Sequence, residues 1–433
     1  MSTKRRAWRD GRWAVWLAGL VTFAVRLPLL TRPRGYVFDE VFYAADAVDL
    51  LQWGAESGRA VHPPLGKWLI AGGIRVFGFT PTGWRISSVL AGAVIAALVV
   101  ATARRLGASP VLALCAGLAI CLDGVMFVTS RLALLDIFVA MFLAFALWFV
   151  VVAWTSQPDR RRCRRALLAA LVSAGLATGV KWSGAWIVPV VAAVAVVLDW
   201  RQVAPGRARW RAWGRTAARV VLVPLVVYAA AWLPREIGPA RLTPRGFWDD
   251  HVAIARFHAD LVPKNVYAAS GTTWFLQTRP AALYRLDCTP AMARSVVGLC
   301  PHSSHPTEIR ILAVVNPVVW AAGMAGLAAL VVLIAWRRDG LAAVLVGAVG
   351  TQWLPWIINS RAAYSFYEAA VVPPVVVGAA YALSRATRPA WKWLAPAVTV
   401  GALAMFVFLY PIWTGLPLSH HAAELRRLMG SWP

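Results

Sequence analysis

The chain has 433 residues, of which 60% are hydrophobic and 15% charged, with mean hydropathy +0.62 and a formal net charge of +25. That much apolar surface exceeds what so few charges could cover in water, which excludes an ordinary soluble domain and makes lipid the solvent. The positive charge would suggest nucleic acid in a soluble protein. Here it falls in short runs between apolar stretches, where it orients the chain in a bilayer, and no nucleic-acid partner is needed to explain it.

In chain order, Lys4, Arg5, Arg6, Arg9 and Arg12 precede an apolar stretch from 13 to 30. It contains Arg26 and Pro28 and lacks a small-residue cleavage site, so it reads as a retained first span rather than a signal peptide. Further spans are predicted at 83 to 103, 110 to 129, 133 to 154, 166 to 180, 184 to 200, 218 to 234, 311 to 336, 340 to 358, 364 to 384 and 393 to 413, which makes eleven. The two flanking Lys181 to Gly184 are short for a hydrocarbon core of ~30 Å and read equally well as one bent helix.

With the N-terminus in the cytoplasm, the inner connections collect 23 Lys and Arg residues, as orientation in the cell membrane requires. The C-terminus, with His420, His421 and Glu424, then lies outside. The whole chain reads as a single all-α polytopic domain, without internal repeats. Its two larger outer segments are 31–82 and 235–310, and a four-span region covers 311–413. Residues 64–77 are too short and interrupted to span, and predict an interfacial helix. Cys115, Cys121 and Cys163 read as inert or reduced thiols. Cys288 and Cys300 share the second outer segment and are either bridged or two free thiols.

Asp39 and Glu40 follow the first span among Tyr36, Phe38, Phe42 and Tyr43. Carboxylates in such a partly desolvated setting gain basicity and suit general-base work, although an acidic pair is also an ordinary helix start. Downstream, His62-Pro63-Pro64-Leu65-Gly66-Lys67 makes a stiff corner that holds His62 and Lys67 at the opening of the interfacial helix. His251, His258, His302 and His305 with Asp249, Asp250 and Asp260 match no zinc spacing. His251 and His258, at i and i+7, instead predict a helix lying over the site, and no metal is expected.

Taken together these stretches resemble the protein O-mannosyltransferase family, polyprenol- or dolichol-phosphate-mannose-dependent enzymes of GT-C fold. The resemblance runs through Phe38-Asp39-Glu40, His62 to Lys67, Gly83-Trp84-Arg85-Ile86-Ser87-Ser88, Leu122-Asp123-Gly124, Ser130-Arg131 to Asp136, and Val180-Lys181-Trp182-Ser183-Gly184. It continues with His251 to His258, Trp274, Arg279-Pro280, Asn316-Pro317, Leu354-Pro355-Trp356, Arg361 and Phe366-Tyr367. The large lumenal MIR domain of eukaryotic members is lacking, which with the Arg, Ala, Val and Trp bias implies a bacterial, actinobacterial member; the second outer loop is abbreviated.

The resemblance also implies eleven spans, and a reaction. Mannose passes from polyprenyl-phosphate-mannose to a Ser or Thr hydroxyl of a secreted polypeptide emerging from the translocon, with inversion. In that reading Asp39 is the base and Glu40 tunes it or fixes the acceptor. Arg85 foremost, then Lys181 and Arg361, with Arg131 and Arg279 behind them, would hold the leaving phosphate; each could otherwise simply snorkel to the interface. His62, Pro63, Lys67, His251 and His258 would form the acceptor side. Since Lys and Arg suffice for a monophosphate, no cofactor beyond the lipid-linked donor is expected. Two rival functions are another GT-C transferase acting on a lipid or glycan, and a transporter or flippase. The His62 to Lys67 stretch favours a protein acceptor, and ionisable groups gathered at one face without a repeat disfavour transport.

Overall fold

Helix starts are written into this sequence as a small polar residue followed by proline. Thr80, Ser109, Thr243 and Asn316 stand directly before Pro81, Pro110, Pro244 and Pro317, and each side chain accepts the free amide of the first turn at 3.0–3.2 Å. The proline has no N–H to leave unsatisfied and its φ is preset for helix. The computed structural model describes residues 11–56, 61–233, 243–261, 268–290, 292, 300, 305–359, 361–387 and 393–433.

The helices are α1 (Arg12–Arg26), α2 (Glu40–Trp53), α3 (Leu65–Phe77), α4 (Pro81–Arg105), α5 (Pro110–Leu122), α6 (Gly124–Thr129), α7 (Asp136–Thr155) and α8 (Arg160–Val180). After a 3-10 turn at Trp182–Ile187 come α9 (Val188–Gln202), α10 (Arg207–Ala230) and α11 (Pro244–Ala259). Strands β1 (Ala281–Cys288) and β2 (Thr307–Ala313) precede α12 (Pro317–Arg337), α13 (Gly340–Ile358), α14 (Val372–Ser384) and α15 (Leu394–Thr414), and the chain closes with β3 (Leu418–Ser419) and α16 (His420–Glu424).

Every segment expected to span contains a helix, and among the described residues eight helices are long and apolar enough to cross a membrane. α5 and α14 are shorter apolar helices, and α1 has 15 residues. Helix α7 is central, with 67% of its apolar window buried, whereas only 17% of that of α10 is covered, leaving Val221, Leu222, Leu225 and Val226 to face lipid. The segment 64–77, expected not to span, holds α3, packed on α2 and α4.

Two expectations are corrected. The segment 110 to 129 is not one helix: Asp123 is extended (φ −75°, ψ 136°), ends α5 and caps α6 by accepting Met126 N at 3.0 Å. Its other oxygen takes Asn316 N at 3.0 Å, and Gly124 packs so closely against Trp413 and the Val314 carbonyl that no side chain would fit. The span expected from 311 starts with a strand instead, because the apolar run to Ala313 pairs in β2 and helix begins only at the Asn316 cap.

A small sheet accompanies the helices. β1, β2 and β3 form an antiparallel sheet with Arg285 opposite Arg310 and Glu308 opposite Leu418. The sheet ties the C-terminal tail to the second outer segment, where the buried Trp432 indole donates to the Gln277 carbonyl at 2.8 Å.

The short pair around Lys181 is two helices rather than one bent rod. Lys181 is extended (φ −146°, ψ 144°), and Gly184 lies against the Ala177 backbone, closer than a Cβ would allow. The reversal holds Lys181 at the rim of the helical body.

Candidate active site

Phe38 adopts a left-handed backbone, φ 52°, unusual for a bulky residue and a place where local strain is stored. Its ring packs edge-on against Phe366 and Tyr364, with centroids 5.5 and 6.0 Å away. The next two side chains then part company. Glu40 points inward and is fully buried. It accepts Arg85 Nε and Nη2 at 2.8 and 2.7 Å, and the backbone N–H groups of Val37 and Ala133 at 2.9 and 2.8 Å. Asp39 is half-buried, and its Oδ2 accepts the Tyr43 hydroxyl at 3.2 Å. Burial lifts the Asp39 carboxyl to about 6, against the pull of the Lys181 ammonium and with a further push from Asp136, while the Tyr43 hydrogen bond opposes the rise.

The structure does not bring Arg85, expected foremost at the phosphate, to the cavity described below. Besides Glu40 it donates to the carbonyls of Leu30, Arg32, Pro33 and Gly35 at 2.9–3.3 Å, which engages every guanidinium nitrogen of a fully buried side chain. It knots the loop after α1 so that Asp39 has a fixed base. Lys67 is likewise engaged: it is fully buried between Asp46 and Glu56, at 2.9 and 2.8 Å, and ties α3 to α2. Arg131 donates to the carbonyls of Arg26 and Pro28 at 2.7 and 2.6 Å and covers the Phe127 ring, tethering the end of α1. Arg279 is exposed and lies outside the cavity wall.

Two of the five expected cations do meet. A cavity of about 650 Å³ is lined by Lys181, Arg361, Asp136, His62, His258 and Tyr367 among others. Lys181 Nζ is 2.8 Å from Asp136 Oδ2 and 5.1 Å from the Tyr367 ring centre. The Arg361 backbone N–H donates to Asn359 Oδ1 at 2.8 Å, and its guanidinium lies 5.7 Å from the Trp356 ring. Asp39 is not in the wall itself. It stands beside it, through Tyr43, whose ring is 6.2 Å from that of His62.

The rings of His62 and His258 approach to 5.0 Å. Burial, then Lys181, holds His62 well below its ordinary value, and burial with Arg361 and Lys181 brings His258 down to about 4. Both are neutral near pH 7, so the cavity's positive charge belongs to Lys181 and Arg361. Pro63 is buried in the corner that presents His62. α11 reaches the cavity through His258, while His251 lies elsewhere. His251 Nδ1 donates to the Phe247 carbonyl at 2.6 Å, which leaves Nε2 to accept the Tyr228 hydroxyl at 2.6 Å. It thus docks α11 on the end of α10.

Cys288 and Cys300 form a disulfide beside the sheet. Among the described residues no group of three His, Cys, Asp or Glu side chains could hold a metal ion; His302 lies outside them. Asp136, Tyr43 and Tyr367 received no individual role from the sequence. Asp136 carried a usable signal, since an acidic residue opening an apolar span is costly unless it is paired or used.

Residues 81–236 match the family model described as dolichyl-phosphate-mannose-protein mannosyltransferase. Over 96% of this chain and 90% of the relative, the sequence is 30% identical to the polyprenol-phosphate-mannose–protein mannosyltransferase of Mycobacterium tuberculosis. It is 31% identical to that of Mycolicibacterium smegmatis over 92% and 87%. An undecaprenyl phosphate-alpha-4-amino-4-deoxy-L-arabinose arabinosyl transferase of Pseudomonas paraeruginosa is 32% identical, but over only 44% of this chain and 33% of its own length. The fold matches the S. cerevisiae protein O-mannosyltransferase Pmt1-Pmt2 complex bound to the sugar donor, with TM-score 0.80 at 13% identity, covering 98% of this chain and 93% of that one. It also matches ArnT from Cupriavidus metallidurans bound to undecaprenyl phosphate, with TM-score 0.63 at 17% identity over 94% and 77%. A helical GT-C body, with an acid and two cations gathered at one rim and a relative of this identity along nearly the whole length, leads to one assignment: the chain belongs to the polyprenol-phosphate-mannose–protein mannosyltransferase family.

Proposed function

We propose that this chain transfers mannose from polyprenyl-phosphate-mannose to Ser or Thr hydroxyls of secreted polypeptides at the outer face of the cell membrane. The observation that carries the reading is Asp39, a carboxylate raised to about 6, beside a cavity presenting Lys181 and Arg361. An aliphatic hydroxyl is a weak nucleophile, so its proton must leave as it attacks. The hydroxyl oxygen bonds to the anomeric carbon from the face opposite the phosphate, the carbon–oxygen bond to phosphate breaks, and the configuration inverts. The proton goes to Asp39 and the electron pair leaves with the phosphate, whose charge Lys181 and Arg361 stabilise. Asp136 holds the Lys181 ammonium in place, and the neutral His62 and His258 offer polar contacts without competing for the phosphate.

Lys181→Met and Arg361→Gln are each expected to lower the turnover rate by roughly 10²–10³-fold, the usual effect of removing one donor to developing charge. Initial rates with purified protein check this; unchanged turnover in both would remove the phosphate site from this cavity. Because two side-chain cations supply the positive charge, full activity is expected in EDTA, and loss restored by Mg or Mn would overturn that expectation.

Eleven crossings with a cytoplasmic N-terminus fit this reading. Pairing of β3 with β2 keeps the C-terminal tail on the side of the second outer segment, and Gly11 at the start of α1 lies against Arg104 at the far end of α4. The deciding experiment offers labelled polyprenyl-phosphate-mannose with a Ser/Thr/Pro-rich peptide, and separately with a lipid glycan. Label on the peptide is expected. Label on the glycan alone would select a GT-C transferase acting on a lipid or glycan.

A further inference from the structure

A second cavity, of about 530 Å³, opens between α8, α9 and α10 at the end of the helices remote from Lys181. Helix α8 has 21 residues, which at 1.5 Å each span about 30 Å, the depth of a bilayer core. Arg160 and Arg164 thus stand across the membrane from the active site. Arg160, Arg161 and Arg164 of α8 and Arg215 and Arg219 of α10 line this cavity, and Asp199 is its one carboxylate. Asp199 is occupied, its Oδ2 accepting the Thr216 hydroxyl at 2.6 Å. Among the described residues none of the five arginine side chains donates a hydrogen bond or joins an ion pair.

Three other basic side chains at this end are engaged by the fold. Arg105 donates to the Thr155 and Ser156 hydroxyls, Arg209 to the Val203 carbonyl, and Arg201 covers the Trp154 ring. Orientation in the membrane requires only that positive charge be on this side; it does not require five arginines, four exposed and Arg219 half-buried, to border one hollow. The deeper wall is apolar, formed by Leu167, Leu168, Leu171, Ala195, Leu198 and Val220, and continues into the lipid-facing Val221 and Leu222 of α10. An arginine rim with a leucine wall complements a molecule that is anionic at one end and hydrocarbon at the other.

We propose that this cavity binds a membrane lipid with a phosphate-bearing anionic headgroup, the phosphate on the arginines and an acyl chain along the leucine wall. Guanidinium groups grip phosphate through paired N–H donors, and a low-dielectric wall strengthens that grip.

The test reconstitutes the full chain in vesicles of equal parts phosphatidylglycerol and phosphatidylcholine, re-extracts it in mild detergent, and measures the retained lipids by mass spectrometry. Wild type is expected to keep phosphatidylglycerol in roughly tenfold preference, a gain of the size that several charge-assisted contacts provide. The triple variant Arg164→Gln, Arg215→Gln, Arg219→Gln should lose it. Leu168→Trp, which fills the hollow and leaves the charges, should lose it too, while Arg337→Gln with Arg338→Gln, a basic pair outside the cavity, should not. Equal loss in the Arg337/Arg338 control would mean general surface charge and overturn the proposal, as would no preference in wild type. Thermal stabilisation by inorganic phosphate that matches that by the lipid, and vanishes in the triple variant, would identify a free-phosphate site instead.

Discussion

Asp39→Asn is expected to leave the protein folded and lower the rate of mannosyl transfer by roughly 10²–10⁴-fold, the contribution of a well-placed general base. The wild-type rate should also report the group directly. The working form is the carboxylate, present above its raised value of about 6, so the rate falls as pH drops through that region. The sign can be tested on a neighbour: the Tyr43 hydroxyl stabilises the charged carboxylate, so Tyr43→Phe raises the Asp39 value further and moves the acidic limb to higher pH. Equal label transfer by wild type and Asp39→Asn would sink the base assignment. A Tyr43→Phe limb moving to lower pH would sink the reading of the hydrogen bond.

Glu40→Gln is expected to act on stability, by about 3–5 kcal/mol, because it leaves the Arg85 guanidinium buried without its counter-charge. The amide also has one acceptor oxygen where the carboxylate had two, so either Val37 N–H or Ala133 N–H loses its partner. Thermal unfolding in detergent should show a large loss of folded protein for Glu40→Gln and almost none for Asp39→Asn. Arg85→Lys should resemble the former, since one ammonium cannot reach Glu40 and four separate carbonyls. A Glu40→Gln protein of normal stability that has lost turnover selectively would return Glu40 to the chemistry.

The different fates of these adjacent residues show where sequence reasoning ends. A hydropathy pattern is local, so the apolar segments and the helix at 64–77 could be placed without knowing what packs against them. Asp39 could be singled out for the same reason, since an acidic residue in an aromatic setting after a span is a local signal. The family resemblance added the order of the motifs and the chemistry.

What could not be read was which cation meets which acid. Along the chain Arg85 and Lys181 look alike, as basic residues at the ends of apolar segments. Only the fold sends Arg85 into five partners and leaves Lys181 and Asp136, 45 positions apart, paired in a cavity wall. The left-handed turn at Phe38, which sends Asp39 and Glu40 to different places, has no glycine to announce it. The sheet was hidden because the apolar run entering 311 reads the same as strand or helix until its partner is known. By itself the sequence determined that the chain lives in a membrane, where its apolar segments lie and which acid to suspect, because each of these follows from neighbours along the chain. Tertiary structure alone decided which charges are spent on the fold and which are left for a substrate, because the cost of burying a charge depends on partners that the sequence keeps far apart.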